Sequence, residues 1–300
     1  MKPEPKSVAP DESSRVTDVT DASRMLVPRE ALRFDFHGAR FRLPRDATVL
    51  GWIADQFLYG EVTGIQCGHW LYAAPTLEAA AFFARQATEE LAHVRVFLRV
   101  HALLGTQPGP AHPVVRWLST ASMGRDFAEH VSTEMAVGEG MVLVVFQALI
   151  DTIDETAIVR LLEGAARQEE RHVAFGEQQT RALVQKDPAL ASILLGMNLV
   201  SLLALPRLAR HVQRRLGMDH EVLGQAEAFL AHVVALTELR LQRMGLLQGS
   251  LLELGSFRRA WLVVRAQLHR QWARFRRTRR LTETYLQDPA LLGGRDVPGT

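Results

Sequence analysis

The chain is almost without cysteine: Cys67 is the only one in 300 residues. That excludes an intrachain disulfide framework and a zinc site built from thiolates, and it predicts a reducing, cytoplasmic setting. Lysine is nearly as scarce. Of 35 basic residues only Lys2, Lys6 and Lys186 are lysines, a bias we read as genome composition rather than function. An excess of one charge is also lacking, since the net charge of +2 excludes a polycation made for nucleic acid. No run reaches the roughly 20 apolar residues of a membrane span. The most apolar stretch, 191–205, carries Asn198 and two serines and stops at Pro206, so it predicts a buried helix. The polar stretch from Met1 to Met25 lacks the apolar centre of a secretory signal. A glycine-rich phosphate loop and a Gly-x-Ser-x-Gly elbow are missing too.

What is present is helical periodicity. With 47% hydrophobic residues the chain can bury a large core. From Asp46 onward apolar residues recur at i, i+3, i+4 and i+7, predicting helices near 47–72, 77–104, 120–151, 155–185, 188–216, 220–248 and 257–287. Thr76 and Asp187-Pro188 suit helix starts. Before this, residues 30–44 alternate apolar and polar around His37-Gly38, as in a short extended segment or hairpin. The expected layout is a polar N-terminal tail (1–29), the extended segment (30–45), a four-helix core (46–187), accessory C-terminal helices packed on it (188–287) and a second tail (288–300). The fold class is all-α, a bundle with additional helices.

Two Glu-x-x-His motifs stand in this helical pattern, Glu90…His93 and Glu169…His172. At i, i+3 both side chains share a helix face, where a carboxylate and an imidazole can grip one metal ion. With 20 Glu and 11 His in the chain, chance alone supplies roughly one such pair, so the motifs need support from spacing. They have it. Glu61 precedes the break at Pro75 by nearly the same stretch of chain by which Glu90 follows it. Glu139 and Glu169 are equally distant, one on each side, from the break near Asp154. In antiparallel hairpins rising about 1.5 Å per residue, all four sit at one depth, roughly 20 Å from the turns.

Their neighbours are apolar. Phe57, Leu58 and Ile65 share a stripe with Glu61, and Val131, Met135, Val142, Leu143 and Phe146 share one with Glu139. Buried carboxylates on such stripes must be protonated, paired or bound to metal. Glu134 is the rival on the third helix, but it lies about 140° away from Glu139 at ideal helical pitch. Phe57, Leu143, Phe146 and Phe97 are candidates to line an apolar pocket. Gly138 and Gly140 flank Glu139 either to leave room for a ligand or to allow close packing. Cys67 reads as buried filler, and the remaining histidines as structural or exposed. Tyr59 and Trp70 lie near the first ligand helix, as core residues or as an electron route.

Glu61, Glu90-x-x-His93, Glu139 and Glu169-x-x-His172 resemble the ligand set of ferritin-like di-iron carboxylate proteins, which include the ribonucleotide reductase small subunit. The stretch EERHVAFG (169–176) is similar to the corresponding stretch of their oxidases and oxygenases, and the resemblance covers roughly residues 47–185. It implies a ferritin-like four-helix core with Glu61 and His93 on one iron, Glu139 and His172 on the other, and Glu90 and Glu169 bridging. These six would be both metal ligands and catalytic centre. Manganese or a mixed manganese–iron pair would fit the same ligands.

Implied with it are O2 as co-substrate, an external electron donor such as a reductase, and oxidation of a small, largely apolar organic molecule by hydroxylation, N-oxygenation or desaturation. Phe97 stands where many radical subunits have a tyrosine, Glu134 where the related ligand-binding oxidases have a cross-linking tyrosine, and Ala165 where arylamine N-oxygenases have an extra histidine. Leu143 stands where many multicomponent monooxygenases have a threonine. The alternatives are a ferroxidase or iron-handling protein, and a non-enzymatic, metal-stabilised interaction protein.

From Arg258 to Arg280 there are nine arginines and no acid, in a basic amphipathic pattern with Trp261 and Trp272. This helix could meet an acidic redox partner, an acidic carrier protein, anionic lipid or nucleic acid, the last disfavoured because no reading motif accompanies the charge. The simpler expectation packs Trp261, Leu262, Leu268 and Trp272 on the bundle with a solvated arginine face. A homodimer is expected.

Overall fold

The computed structural model describes residues 25–122, 124–216 and 220–273. It is all-α: among these residues no strand forms, and one isolated bridge joins Phe41 to Ile153. The alternating segment 30–44 therefore makes no hairpin. A short 3₁₀ turn (Arg29–Leu32) leads into irregular chain that turns at His37-Gly38, both at positive φ. Met25–Pro28, expected in the tail, is already part of the structure. Val27 is fully buried and the Leu26 amide donates to Glu177. The remainder of the expected tail, the segment 288–300 and the end of the basic helix lie outside the described residues.

Helices α1 (Ala47–Gly64) and α2 (Leu77–Leu104) form the first hairpin. α1 continues as a 3₁₀ segment (Ile65–Tyr72) rather than as one α-helix to residue 72. The reason is a three-residue apolar period: Cys67 and Trp70 are both buried against Phe83 of α2, and i, i+3 side chains eclipse only in a 3₁₀ helix. α2 starts at the Thr76 cap, whose hydroxyl accepts from the Ala79 amide (3.2 Å), and stops at Gly105 at φ 68°.

α3 (Pro113–Ser122), with no separate counterpart in the sequence reading, packs across α1. The third core helix is composite. A single turn, α4 (Phe127–Glu129), passes into a ten-residue π segment (His130–Glu139) and then α5 (Gly140–Thr152). Thr133 turns its hydroxyl onto the Glu129 carbonyl (2.7 Å), and Gly138 and Gly140 weaken the α alternative. α6 (Thr156–Lys186) returns antiparallel and packs most extensively on the π segment.

Phe127–Thr152 is the one described run apolar and long enough to cross a membrane by composition alone, and most of it is buried in the protein. α7 (Ala189–Leu216), α8 (Ala226–Arg243) and α9 (Ser256–Ala273) follow among the described residues. The centre of the apolar run 191–205 is buried, from Ile193 to Leu199, with Asn198 bonded to Ser132 at 3.0 Å, whereas Leu203 is exposed. α9 corrects an expectation. Leu262 packs on the protein, but Trp261, Leu268 and Trp272 are exposed.

Candidate metal centre

Glu61, Glu90, His93, Glu139, Glu169 and His172 converge from α1, α2, the end of the π segment and α6. Their ligand atoms form two overlapping groups, Glu61–Glu90–His93–Glu169 and Glu90–Glu139–Glu169–His172, each with all atoms within 4.8 Å of one another. Glu90 and Glu169 belong to both. All are buried except Glu139, which is half-buried.

The two imidazoles turn the same nitrogen inward. His93 Nδ1 lies 3.1 Å from Glu61 and 3.0 Å from Glu169, and His172 Nδ1 lies 3.3 Å from Glu90 and 3.3 Å from Glu169. Their Nε2 atoms point away, to Gln168 (2.7 Å) and Glu89 (2.8 Å) respectively. Each partner immediately precedes the motif glutamate of the opposite helix, and such outward bonds fix the ring orientation of a metal-binding histidine. Arg171 holds Glu89 in turn at 2.6 Å. Gln86, one turn before Glu90, donates to Glu139 at 2.9 Å.

The electrostatics are those of a crowded acidic site. Burial, with Glu90 and Glu169 adding to it against the His93 hydrogen bond, pushes the Glu61 carboxyl well above its ordinary range. Burial and the Glu169 charge do the same to Glu139. Burial opposes ionisation of Glu169 as well, but His172 and His93 outweigh it and hold that carboxyl low. Burial lowers both imidazoles, and the surrounding carboxylates override it, raising each.

The donor set fits divalent or trivalent cations, with four carboxylates and two inward nitrogens for two positions. Glu139 Oε2 is buried with no hydrogen-bond partner, as expected of a ligand atom kept for an ion. Gly64 is part of the fit, since a Cβ there would stand 2.9 Å from Glu90 Oε2.

The π segment changes the standing of Glu134. A π helix, bonded i to i+5, turns less per residue than an α helix, so Glu134 and Glu139 fall on one side of the helix rather than on separate faces, and both line the same cavity. Glu134 is outside the two ligand groups. It lies 2.8 Å from Nδ1 of buried His130, whose ring stacks on Trp70 at 4.6 Å between centroids.

That cavity has a volume of about 430 Å³, within the range of small-molecule sites. Glu61, Glu90, Glu134, Glu139 and Glu169 stand at one end. From there it follows α1 back to Trp52, about 14 Å from Glu61, and α5 forward to Thr152, about 20 Å from Glu139. α3, α7, α8, Phe36 and Phe41 close the other side. Beyond the carboxylates the lining is largely apolar, and it contains no arginine or lysine.

Among the expected pocket aromatics, Phe57 lines this cavity. Phe97, Leu143 and Phe146 do not; they are buried core, with Phe97 and Phe146 packed on Phe57. The flanking glycines divide: Gly138 lines the cavity, whereas Gly140 makes room for Arg240, whose Nη1 would lie 2.3 Å from an added Cβ. Cys67 is buried, and burial with the nearby Glu90 and Glu139 charges pushes its thiol up.

The sequence reading missed Gln86, Glu89 and Gln168. A signal for each exists. Gln86 falls on the buried α2 stripe Ala79, Phe83, Glu90, His93, Phe97, and both motif glutamates are preceded by a hydrogen-bonding side chain. Comparison with family models, with curated proteins and with solved structures finds no match.

Proposed function

We propose that this chain is a ferritin-like, di-metal oxidase or monooxygenase that uses O2 to oxidise a small, uncharged, largely apolar organic molecule. The observation that carries the reading is the pair of overlapping ligand groups sharing Glu90 and Glu169 at one end of a long, largely apolar cavity. Bound iron would supply the electrons that reduce O2, with further electrons from an external donor.

The protein's own side chains do the rest. His93 and His172 are held in register by Gln168 and Glu89, and Glu139 by Gln86. The apolar wall excludes water and orients the substrate toward the carboxylates. Glu134, 2.8 Å from His130 and on the cavity lining, would hold or pass a proton beside the reacting end.

A cavity of this size and polarity favours an organic substrate over ferroxidase chemistry, which needs only a path for metal ions. The test is metal stoichiometry on the reconstituted protein followed by O2 uptake by the anaerobic Fe(II) form. We expect two irons per chain and O2 consumption without mineral growth. Glu139→Ala and His172→Ala should each lower bound iron and abolish uptake while leaving the helical circular dichroism intact. Full uptake in both variants would sink the assignment. Loading far beyond two irons per chain would make it an iron-handling protein, and one ion indifferent to O2 a metal-stabilised interaction protein.

A further inference from the structure

Helix α9 is apolar on two opposite sides. One side is buried: Leu262 and Ala266 pack on α7, so closely that a Cβ on Gly196 would stand 2.2 Å from the Leu262 carbonyl oxygen. Arg270 ties the same side to Glu129 at 3.1 Å. The other side faces solvent. Phe257 is 87% exposed, Trp261 56%, Val264 48%, Leu268 52% and Trp272 74%.

Their spacing of four, three, four and four residues puts them within an arc of about 80°, opposite the buried side and running about 22 Å along the helix. Such a continuous apolar stripe on a folded surface marks an interaction site. Exposed Arg258 and Arg265 flank it along one edge, and no acid occurs from Arg258 to Ala273. We propose that this face docks the protein on an anionic lipid surface, the two Trp and Phe257 entering the headgroup–acyl boundary and the arginines meeting the headgroup phosphates.

The chemistry of the face selects this occupant. Tryptophan beside arginine on one helix face is the composition of an interfacial helix. A second copy of the chain pairing stripe to stripe would bring arginine-flanked helices together with no acid on either to answer them. A soluble acidic protein would be met by the charge but would leave five large apolar side chains without a matching surface. The inference is independent of the metal centre, since none of these residues touches it.

The experiment is flotation of the full-length protein with vesicles of phosphatidylcholine alone, or of phosphatidylcholine and phosphatidylglycerol in equal parts, with Trp emission recorded alongside. Binding is expected to the anionic vesicles, with a blue shift, and to weaken as salt screens the arginines. The double variant Trp261→Ala/Trp272→Ala should weaken it about tenfold or more, with unchanged melting temperature and iron content. Val264→Gln/Leu268→Gln on the same stripe is the second variant should the first fail to fold.

Absence of binding to anionic vesicles, or equal binding by both variants, would overturn the proposal. So would self-association without vesicles that the variants abolish, which would make the face a dimer interface. Retention by an acidic protein with no vesicle binding would reassign it to a soluble partner.

Discussion

At the scale of single residues, Asp46 is a buried charge answered from several sides. Asp46, at the start of α1, accepts from the Arg42 amide (2.7 Å) and from the Arg45 guanidinium (2.7 Å) and lies 3.3 Å from His220. Arg45 chiefly, against the opposing effect of burial, and then the Arg42 amide and His220, hold its carboxyl far below the ordinary aspartate range. A depressed carboxyl stabilises the fold above its unfolded pKa of about 3.9, and that contribution is lost as pH falls below it toward the folded value. Asp46→Asn should therefore lower stability by about 1–2 kcal/mol at pH 7. Chemical denaturation of both proteins as a pH series should show the gap narrowing from about pH 4 downward.

The convergence of Glu61, Glu90, His93, Glu139, Glu169 and His172 was legible at this scale because depth and face follow from helical rise and pitch. Glu134 was misplaced for the same reason: its face was read at an α-helical pitch that the π segment does not have. Leu143, Phe146 and Phe97 show the other limit. Periodicity identifies the inward face of a helix, but whether that face meets a cavity or another side chain depends on what the neighbouring helix puts there.

At the scale of elements, the π segment and α6 are held together through a glycine. A Cβ on Gly176 would stand 2.6 Å from the Ala136 amide nitrogen and 2.7 Å from the Val131 carbonyl oxygen. Backbone cannot swing aside as a long side chain can. The helix-propensity gain of about 1 kcal/mol for Gly→Ala is thus outweighed by overpacking of about 1–3 kcal/mol. Gly176→Ala should lower the melting temperature, and because it displaces the segment that carries Glu139 it should also lower iron content. Gly164→Ala on the same helix, with nothing within 4 Å, should be neutral or stabilising by up to about 1 kcal/mol. The pair of melting curves separates close approach from helix propensity.

α9 teaches a related lesson about reading elements. Its apolar residues fall on both sides of the helix, and a one-dimensional pattern does not say which side the protein covers. The 3₁₀ and π segments were likewise hidden inside runs that read as continuous helix.

At the scale of the whole molecule, α8 is coupled to the core by a fully buried ion pair. Arg240 of α8 meets Glu177 of α6 at 2.6 Å, both side chains fully buried. Removing one partner leaves an unanswered charge, so Arg240→Ala should destabilise the protein by about 3–5 kcal/mol. The double variant Arg240→Met/Glu177→Leu should recover most of that loss, and equilibrium denaturation of the set gives the coupling energy directly.

The long cavity bears on the molecule in a different way. Away from its carboxylate end the lining offers few polar partners and holds water poorly, so the folded state carries empty volume there that unfolding eliminates. Hydrostatic pressure favours whichever state fills space better. The ligand-free protein should accordingly unfold at modest pressure with a large decrease in volume. An apolar guest that fills the channel should raise the unfolding pressure along with the melting temperature, making the volume change of unfolding a gauge of what the cavity accepts.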